Sequence, residues 1–231
     1  MVKLSKRLAA IASHAADGRR IADVGTDHGH IPVWLAQRGG AERITASDIR
    51  PGPLASARAF AAEHDAADKI AFVLADGLRG LGKDFDTVIL AGMGGETIRN
   101  ILAAAPWTKN GVKLILQPQS KTGELANWLD GSGYAIEDAQ LVRDAGKLYL
   151  ILVVRGGASR APFSCAEIYA DRLLMEKRDP LLPDYLDELI ARFTKRLRGL
   201  EREDDPPVDE YDHVRLALAG FQRMKEETET W

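Results

Sequence analysis

Short apolar runs alternate with helical patterns over the first two-thirds of the chain. Segments 21–25, 43–49, 70–76, 87–91 and 113–118 are near-continuously apolar and rich in β-branched residues. Strands of a parallel sheet buried on both faces read this way. Between them, "IPVWLAQRG" with Pro32 near its first turn, the alanine-rich "PGPLASARAFAAEHDA", and "ETIRNILAAAP", stopped at Pro106, predict helices. A further helix begins near Ser120 and includes 127–130. "YAIEDAQLVRDAGKLYLILVVRG" then holds two strand-like runs around the turn-prone 144–146, a hairpin that would end the sheet with antiparallel strands. The alternation predicts a doubly wound α/β sheet with a binding crevice beyond the carboxyl ends of its strands.

Past Gly156 the pattern changes. "RGGASRAP" looks like a linker, and the remainder is helical. Leu186, Leu189, Ile190, Phe193, Leu197 and Leu200 recur at three- and four-residue spacings, as do Tyr211, Val214, Leu218 and Phe221 after "EREDDPPVDE". Two such stripes joined by a Pro–Pro turn predict an antiparallel, coiled-coil-like helical hairpin whose stripes form each other's core. The expected division is a catalytic domain over 1–158 and a helical appendage over 159–231.

Composition narrows the setting. The chain has 231 residues and one cysteine, Cys165, which leaves no disulfide and no multi-cysteine zinc site and fits a reducing cytoplasm. No apolar run is long enough for a membrane span, and the first twenty residues lack a signal core, so a cytoplasmic protein with no membrane partner is expected. The net charge of −3 argues against nucleic acid only superficially: residues 1–162 carry roughly three net positive charges and the remainder roughly six negative ones. Nothing requires an oligomer; a monomer is compatible with the sequence.

The candidate chemistry begins at "IADVGTDHGH", where Asp23, Gly25, Thr26, Asp27, His28 and Gly29 follow the first strand. The spacing is that of an acid followed by three glycines two apart, with Asp27 in place of the middle one. A dinucleotide would set its pyrophosphate on the following helix N-terminus, and Asp27 would repel it. S-adenosyl-L-methionine carries no phosphate, and its sulfonium and amino groups are cationic, so a carboxylate beside it is attractive. Asp48 with Ile49 ends the second strand, where an acid commonly accepts the ribose hydroxyls. Asp76, with Gly77 and Leu78, is placed to take the adenine amino group and line its ring. Each acid alone could equally cap a helix; three at successive strand ends point to a ligand. Gly92, Met93, Gly94 and Gly95 fall at the end of the fourth strand, where glycines expose backbone groups and Met93 can lie flat on a base or cofactor. His28 with Asp27 makes no metal site for want of further ligands, and no metal is expected.

"RIADVGTDHGHIP", "AGMGG" and "LILQPQ", in this order before a helical appendage, resemble the bacterial tRNA (adenine-22-N1)-methyltransferase family, TrmK. The similarity covers about residues 3–156. It implies a Rossmann-like S-adenosyl-L-methionine-dependent methyltransferase acting on N1 of an adenine in tRNA. This chain departs from the family pattern at Gln119, where Asn is usual, and at His30, where tyrosine is frequent. N1 of adenine is already nucleophilic, so the site must position it and favour the cationic product. Asp27 is the candidate for the latter, unless it only holds the cofactor. Gln117 and Gln119 could bond the base edge beside Gly94, and Met93 or His28 could stack on the base. Lys6 and Arg7, with Arg192, Lys195 and Arg196 in "ARFTKRLRGLER", are candidate phosphate contacts, though such residues can equally pair with neighbouring acids. The alternatives are a same-fold methyltransferase acting on another RNA base or a small molecule, a non-catalytic S-adenosylmethionine-binding module and, last, an NAD-dependent oxidoreductase.

Overall fold

A computed structural model describes residues 1–158 and 161–231. Its strands are β1 (Arg20–Val24), β2 (Arg43–Asp48), β3 (Ile70–Leu74), β4 (Thr87–Met93), β5 (Lys113–Pro118), β6 (Tyr134–Asp144) and β7 (Lys147–Gly156). They form one seven-stranded sheet in the order β3-β2-β1-β4-β5-β7-β6. The first five run parallel, and β7 lies antiparallel between β5 and β6. The helices are α1 (Lys6–Ala15), α2 (His30–Arg38), α3 (Pro51–Glu63), α4 (Gly95–Ala103), α5 (Thr122–Gly131), α6 (Arg172–Glu176), α7 (Leu182–Leu200) and α8 (Val208–Thr228). Among the described residues no helix is long and apolar enough to cross a membrane.

The central strands read as continuous apolar runs because each faces two cores. Ala22, Val24, Val88, Leu90, Leu114 and Leu116 point to one face, where Ile98 and Leu102 of α4, Leu125 and Leu129 of α5, and the C-terminal helices cover them. Ile21, Ile89 and Ile115 point to the other, under Ile11 of α1, Val33 and Leu35 of α2 and Ala61 of α3. Strand side chains alternate, so one run supplies both layers. The β6–β7 hairpin closes through Ala145 and Gly146, both at positive φ (47° and 78°), with Asp144 opposite Lys147, as a tight two-residue turn requires.

Several boundaries differ from the sequence reading. β3 stops at Leu74, leaving Asp76 in a loop, and β4 runs on to Met93 through an irregularity between Ala91 and Met93. α1 was not foreseen, although Ser5 caps it by accepting from the Leu8 N–H and Leu8, Ile11, Ala12 and Ala15 repeat at helical spacing.

α7 and α8 form the expected antiparallel pair, with Leu186, Leu189, Phe193, Val214 and Phe221 buried between helices and sheet. Their core is continuous with the apolar cluster under the sheet. The polypeptide leading to α7 also seals the sheet edge: Asp179 accepts the backbone N–H of Leu141 on β6 at 3.0 Å, satisfying a donor that an edge strand leaves open. The expected 158/159 boundary cannot be placed, since residues 159 and 160 lie outside the described residues.

Gly123 on α5 lets the Tyr169 ring approach. A methyl group there would stand 2.4 Å from Tyr169 Cε1. The ring cannot swing aside freely, because it packs edge-on against Phe193 and its hydroxyl meets His213 Nε2 at 3.0 Å. Gly123→Ala, although favourable for an isolated helix, is therefore expected to destabilise the fold by about 1–3 kcal/mol. Chemical denaturation checks this; equal or higher stability would contradict the packing argument.

Candidate functional site

The carboxyl ends of β1, β2 and β4 and the segment after β3 surround a cavity of about 730 Å³. After β1 the chain turns back on itself: the N–H groups of Gly25 and Thr26 donate to the Ser47 carbonyl at 2.8 and 2.9 Å. Thr26 Oγ1 donates to Asp23 at 2.7 Å. Asp27 then takes a left-handed backbone conformation, φ 53°, and its exposed carboxylate lies 3.7 Å from His28 Nε2. A methyl group on Gly29 would meet Ala57 at 2.9 Å, so glycine here lets α2 start against α3.

Besides Asp27, three acids line this cavity at different depths. Asp23 is 5% exposed and Asp48 6%; Asp48 Oδ1 accepts the Arg50 N–H at 2.9 Å. Asp76 is exposed and pairs with Arg79 at 3.0 Å. Burial pushes the Asp23 carboxyl up to about 6, Asp48 beside it acts in the same direction, and the Thr26 hydroxyl opposes them. His30, also on the lining, is pushed down by burial and by His28 and His64, against the pull of Asp27.

The opposite wall follows from the break in β4. Gly92 stands at φ 77°, a conformation that costs a side chain about 1 kcal/mol or more, and it turns Met93 toward Gly25, where the Met93 methyl would sit 2.9 Å from an added Cβ. Gln119 is fixed by its own N–H donating to the Met93 carbonyl at 2.9 Å, and its side chain lines the cavity with Ile49, Gly77 and Leu78.

The expected site residues divide accordingly. The acids, the Gly25–His28 loop, Gly92, Met93, Gln119 and Arg7 share one cavity. Gly29 and Gly94 lie just outside its lining, each preceding the first residue of a helix. The expectation that Gln117 meets a base edge is corrected: it is fully buried, with its side-chain oxygen accepting from Arg7 Nη1 at 2.8 Å and its amide donating to the Pro118 carbonyl at 3.0 Å. Lys6, Arg192, Lys195 and Arg196 are not on the lining. Arg192 and Lys195 are exposed on α7, whereas Arg196 donates to Glu210 of α8 at 2.8 Å. Sequence reading missed the α4 contribution, Thr97, Asn100 and Ile101, because a strand-end pattern carries no information about the helix that leans over it. Among the described residues no group of three or more His, Cys, Asp or Glu is arranged to hold a metal ion.

The model of a methyltransferase domain matches residues 4–152. The tRNA (adenine(22)-N(1))-methyltransferase of Bacillus subtilis (strain 168) is 31% identical over 195 residues, 81% of this chain and 82% of that protein. This chain belongs to the tRNA (adenine(22)-N(1))-methyltransferase family. The family likeness extends to three dimensions. A candidate tRNA (m1A22) methyltransferase of Streptococcus pneumoniae superposes with a TM-score of 0.82 at 27% identity, covering 96% of this chain and 100% of that one. The same protein solved with S-adenosyl-L-methionine gives 0.78 at 28% identity over the same shares. The family relationship thus includes the C-terminal helices.

The buried acid has a measurable consequence without any ligand. Its raised folded value means that the Asp23 contribution to stability is fully present below about pH 4, the unfolded carboxyl value, and is lost as pH rises through about 6. Asp23→Asn is therefore expected to gain stability on wild type over that interval, by at most about 3 kcal/mol, and to hold a constant difference above it. Urea unfolding of both proteins across this range tests the sign; a gap that does not change with pH would refute it.

Proposed function

We propose that this protein transfers a methyl group from S-adenosyl-L-methionine to N1 of an adenine in tRNA, at position 22 as in its family. The observation that carries this reading is the cavity at the strand ends lined by Asp23, Asp27, Asp48 and Asp76, in a chain related to tRNA adenine-N1 methyltransferases along most of its length. Substrate tRNA places its work in the cytoplasm.

The residues present fit the donor. Asp48 offers a buried acceptor for vicinal hydroxyls, Asp76 with Gly77 and Leu78 an acceptor beside an apolar edge, and Asp23 and Asp27 negative charge for cationic groups. When bound, S-adenosyl-L-methionine supplies a methyl group made electrophilic by positive sulfur. A cationic ligand favours the ionised form of Asp23, offsetting the penalty of burying it.

Adenine N1 holds a free lone pair at neutral pH, so the chain need not supply a general base. What it must supply is alignment and exclusion of water. N1 lies on the pairing edge, so the adenine has to leave its partner and stack, at a cost of about a few kcal/mol. Met93, His28 and the neutral His30 ring provide flat surfaces at the cavity, and the Gln119 amide provides a donor and an acceptor beside Gly92. The product bears positive charge, which the Asp27 carboxylate favours as it develops. Binding energy for extruding the base comes from phosphate contacts elsewhere, and the outward face of α7 with Arg192 and Lys195 serves this role.

Incubation of the purified protein with radiolabelled donor and unmodified tRNA transcripts, followed by nucleoside mapping, is expected to yield 1-methyladenosine at position 22. Label at another base, or none, would overturn the assignment. Asp27→Asn is expected to lower kcat by about tenfold or more without loss of tRNA binding, in single-turnover assays; unchanged kcat would remove Asp27 from the chemistry. Reversing Arg192 and Lys195 to Glu together should raise the KM for tRNA about tenfold or more and leave donor affinity intact. A KM equal to that of wild type would dismiss the α7 face as an RNA contact.

A further inference from the structure

Three arginines line the cavity, and two of them stand beside acids: Arg79 pairs with Asp76 at 3.0 Å and Arg50 approaches Asp48 at 3.9 Å. Arg7 differs. Among the described residues no carboxylate lies within ion-pair distance of its guanidinium; Asp144 instead accepts the Arg7 backbone N–H at 3.3 Å. The guanidinium is nevertheless fixed, by the buried Gln117 oxygen at 2.8 Å and by the face of Tyr149, 5.2 Å from the ring centroid. Gln117 cannot turn away, since its amide is committed to the Pro118 carbonyl. A rigidly held guanidinium with no ion-paired carboxylate among the described residues, in a cavity whose other arginines stand beside acids, is a site prepared for an anion.

The order of groups along the strand ends says which anion. Asp76 follows β3, Asp48 ends β2, Asp23 lies at the end of β1, and Arg7 stands 3.6 Å from where a Cβ of Gly92 on β4 would be. The strands neighbour one another in the sequence β3-β2-β1-β4. Adenine, ribose, cationic centres and carboxylate succeed one another in the same order along S-adenosyl-L-methionine. The carboxylate is the one anionic group of that molecule, and Arg7 is the cation at the end of the row.

We propose that Arg7 binds the carboxylate of the donor's amino-acid end, and that Gln117 is a positioning residue that fixes the guanidinium for it. The proposal deepens the reading above, resting on S-adenosyl-L-methionine as donor and not on tRNA as acceptor. It moves Arg7 from the RNA contacts to the donor site, and gives Gln117 a role despite its burial.

Two ligands separate the carboxylate from the rest of the molecule: S-adenosylhomocysteine, which has the amino-acid end, and 5′-methylthioadenosine, which lacks it. In calorimetric titrations of the full chain, Arg7→Ala is expected to weaken S-adenosylhomocysteine by about 10- to 100-fold and to leave 5′-methylthioadenosine within about twofold. Arg7→Lys, which keeps the charge, should lie between. Gln117→Leu should weaken S-adenosylhomocysteine selectively but less, and add nothing to Arg7→Ala, whereas a merely structural role would weaken both ligands alike. Equal loss of both ligands, or unchanged S-adenosylhomocysteine affinity with a raised KM for tRNA, would overturn the proposal. Wild type that binds neither ligand would instead remove the donor assignment, and the proposal with it. Donor binding with no methyl transfer to tRNA would sink only the acceptor assignment.

Discussion

Five parallel strands covered by helices on both faces can meet a polar ligand only at their ends. Each strand spends its side chains on the two cores and its backbone on its neighbours, so polar side chains are expelled to the terminal residues and the loops beyond. Asp23, Asp48 and Asp76 share a cavity for that reason: three neighbouring strands of a continuous ladder deliver their last residues or, for Asp76, the loop beyond to one edge. The left-handed residues Asp27 and Gly92 then bend the chain over that edge, and α4 closes it from outside.

The cavity is organised by charge as much as by shape. Asp23, held nearly out of solvent beside Asp48, opposes the stability of the protein by itself when ionised, and it yields by holding its proton to about pH 6. A site with this arrangement is tuned to a ligand bearing positive charge, and the energy withheld from folding becomes available for binding. Arg7 is the complement at the other end of the row. It owes its position to a neutral amide and an aromatic face, which orient a guanidinium without neutralising it.

The C-terminal helices are more than an attached arm. They complete one sheet face, and the segment before α7 caps the β6 edge through Asp179 and through Lys177, which meets Asp138 and the Ala139 carbonyl at 3.1 Å. A single continuous core therefore links the helix that bears Arg192 and Lys195 to the sheet that builds the cavity. Such packing suits an enzyme that must hold a large folded RNA while one base is brought to a fixed point.

How much was legible in the sequence follows the range of the forces involved. Apolar strand runs, helix stripes, the hairpin turn and the acids at strand ends are local patterns: β-branched runs, period 3.6, glycine at positive φ and carboxylates after apolar runs are written within about ten residues. They were enough for the fold class, most of the cavity and, with the family motifs, the chemistry. Arg7 meets Gln117 across a separation of 110 residues, and Ile101 of α4 leans over Gly77 in the loop after β3. Neither contact has a local signature. What Gln117 does could be decided only by tertiary packing, because its type permits hydrogen bonding anywhere, and burial alone determined that its partner is an arginine of the protein and not a base.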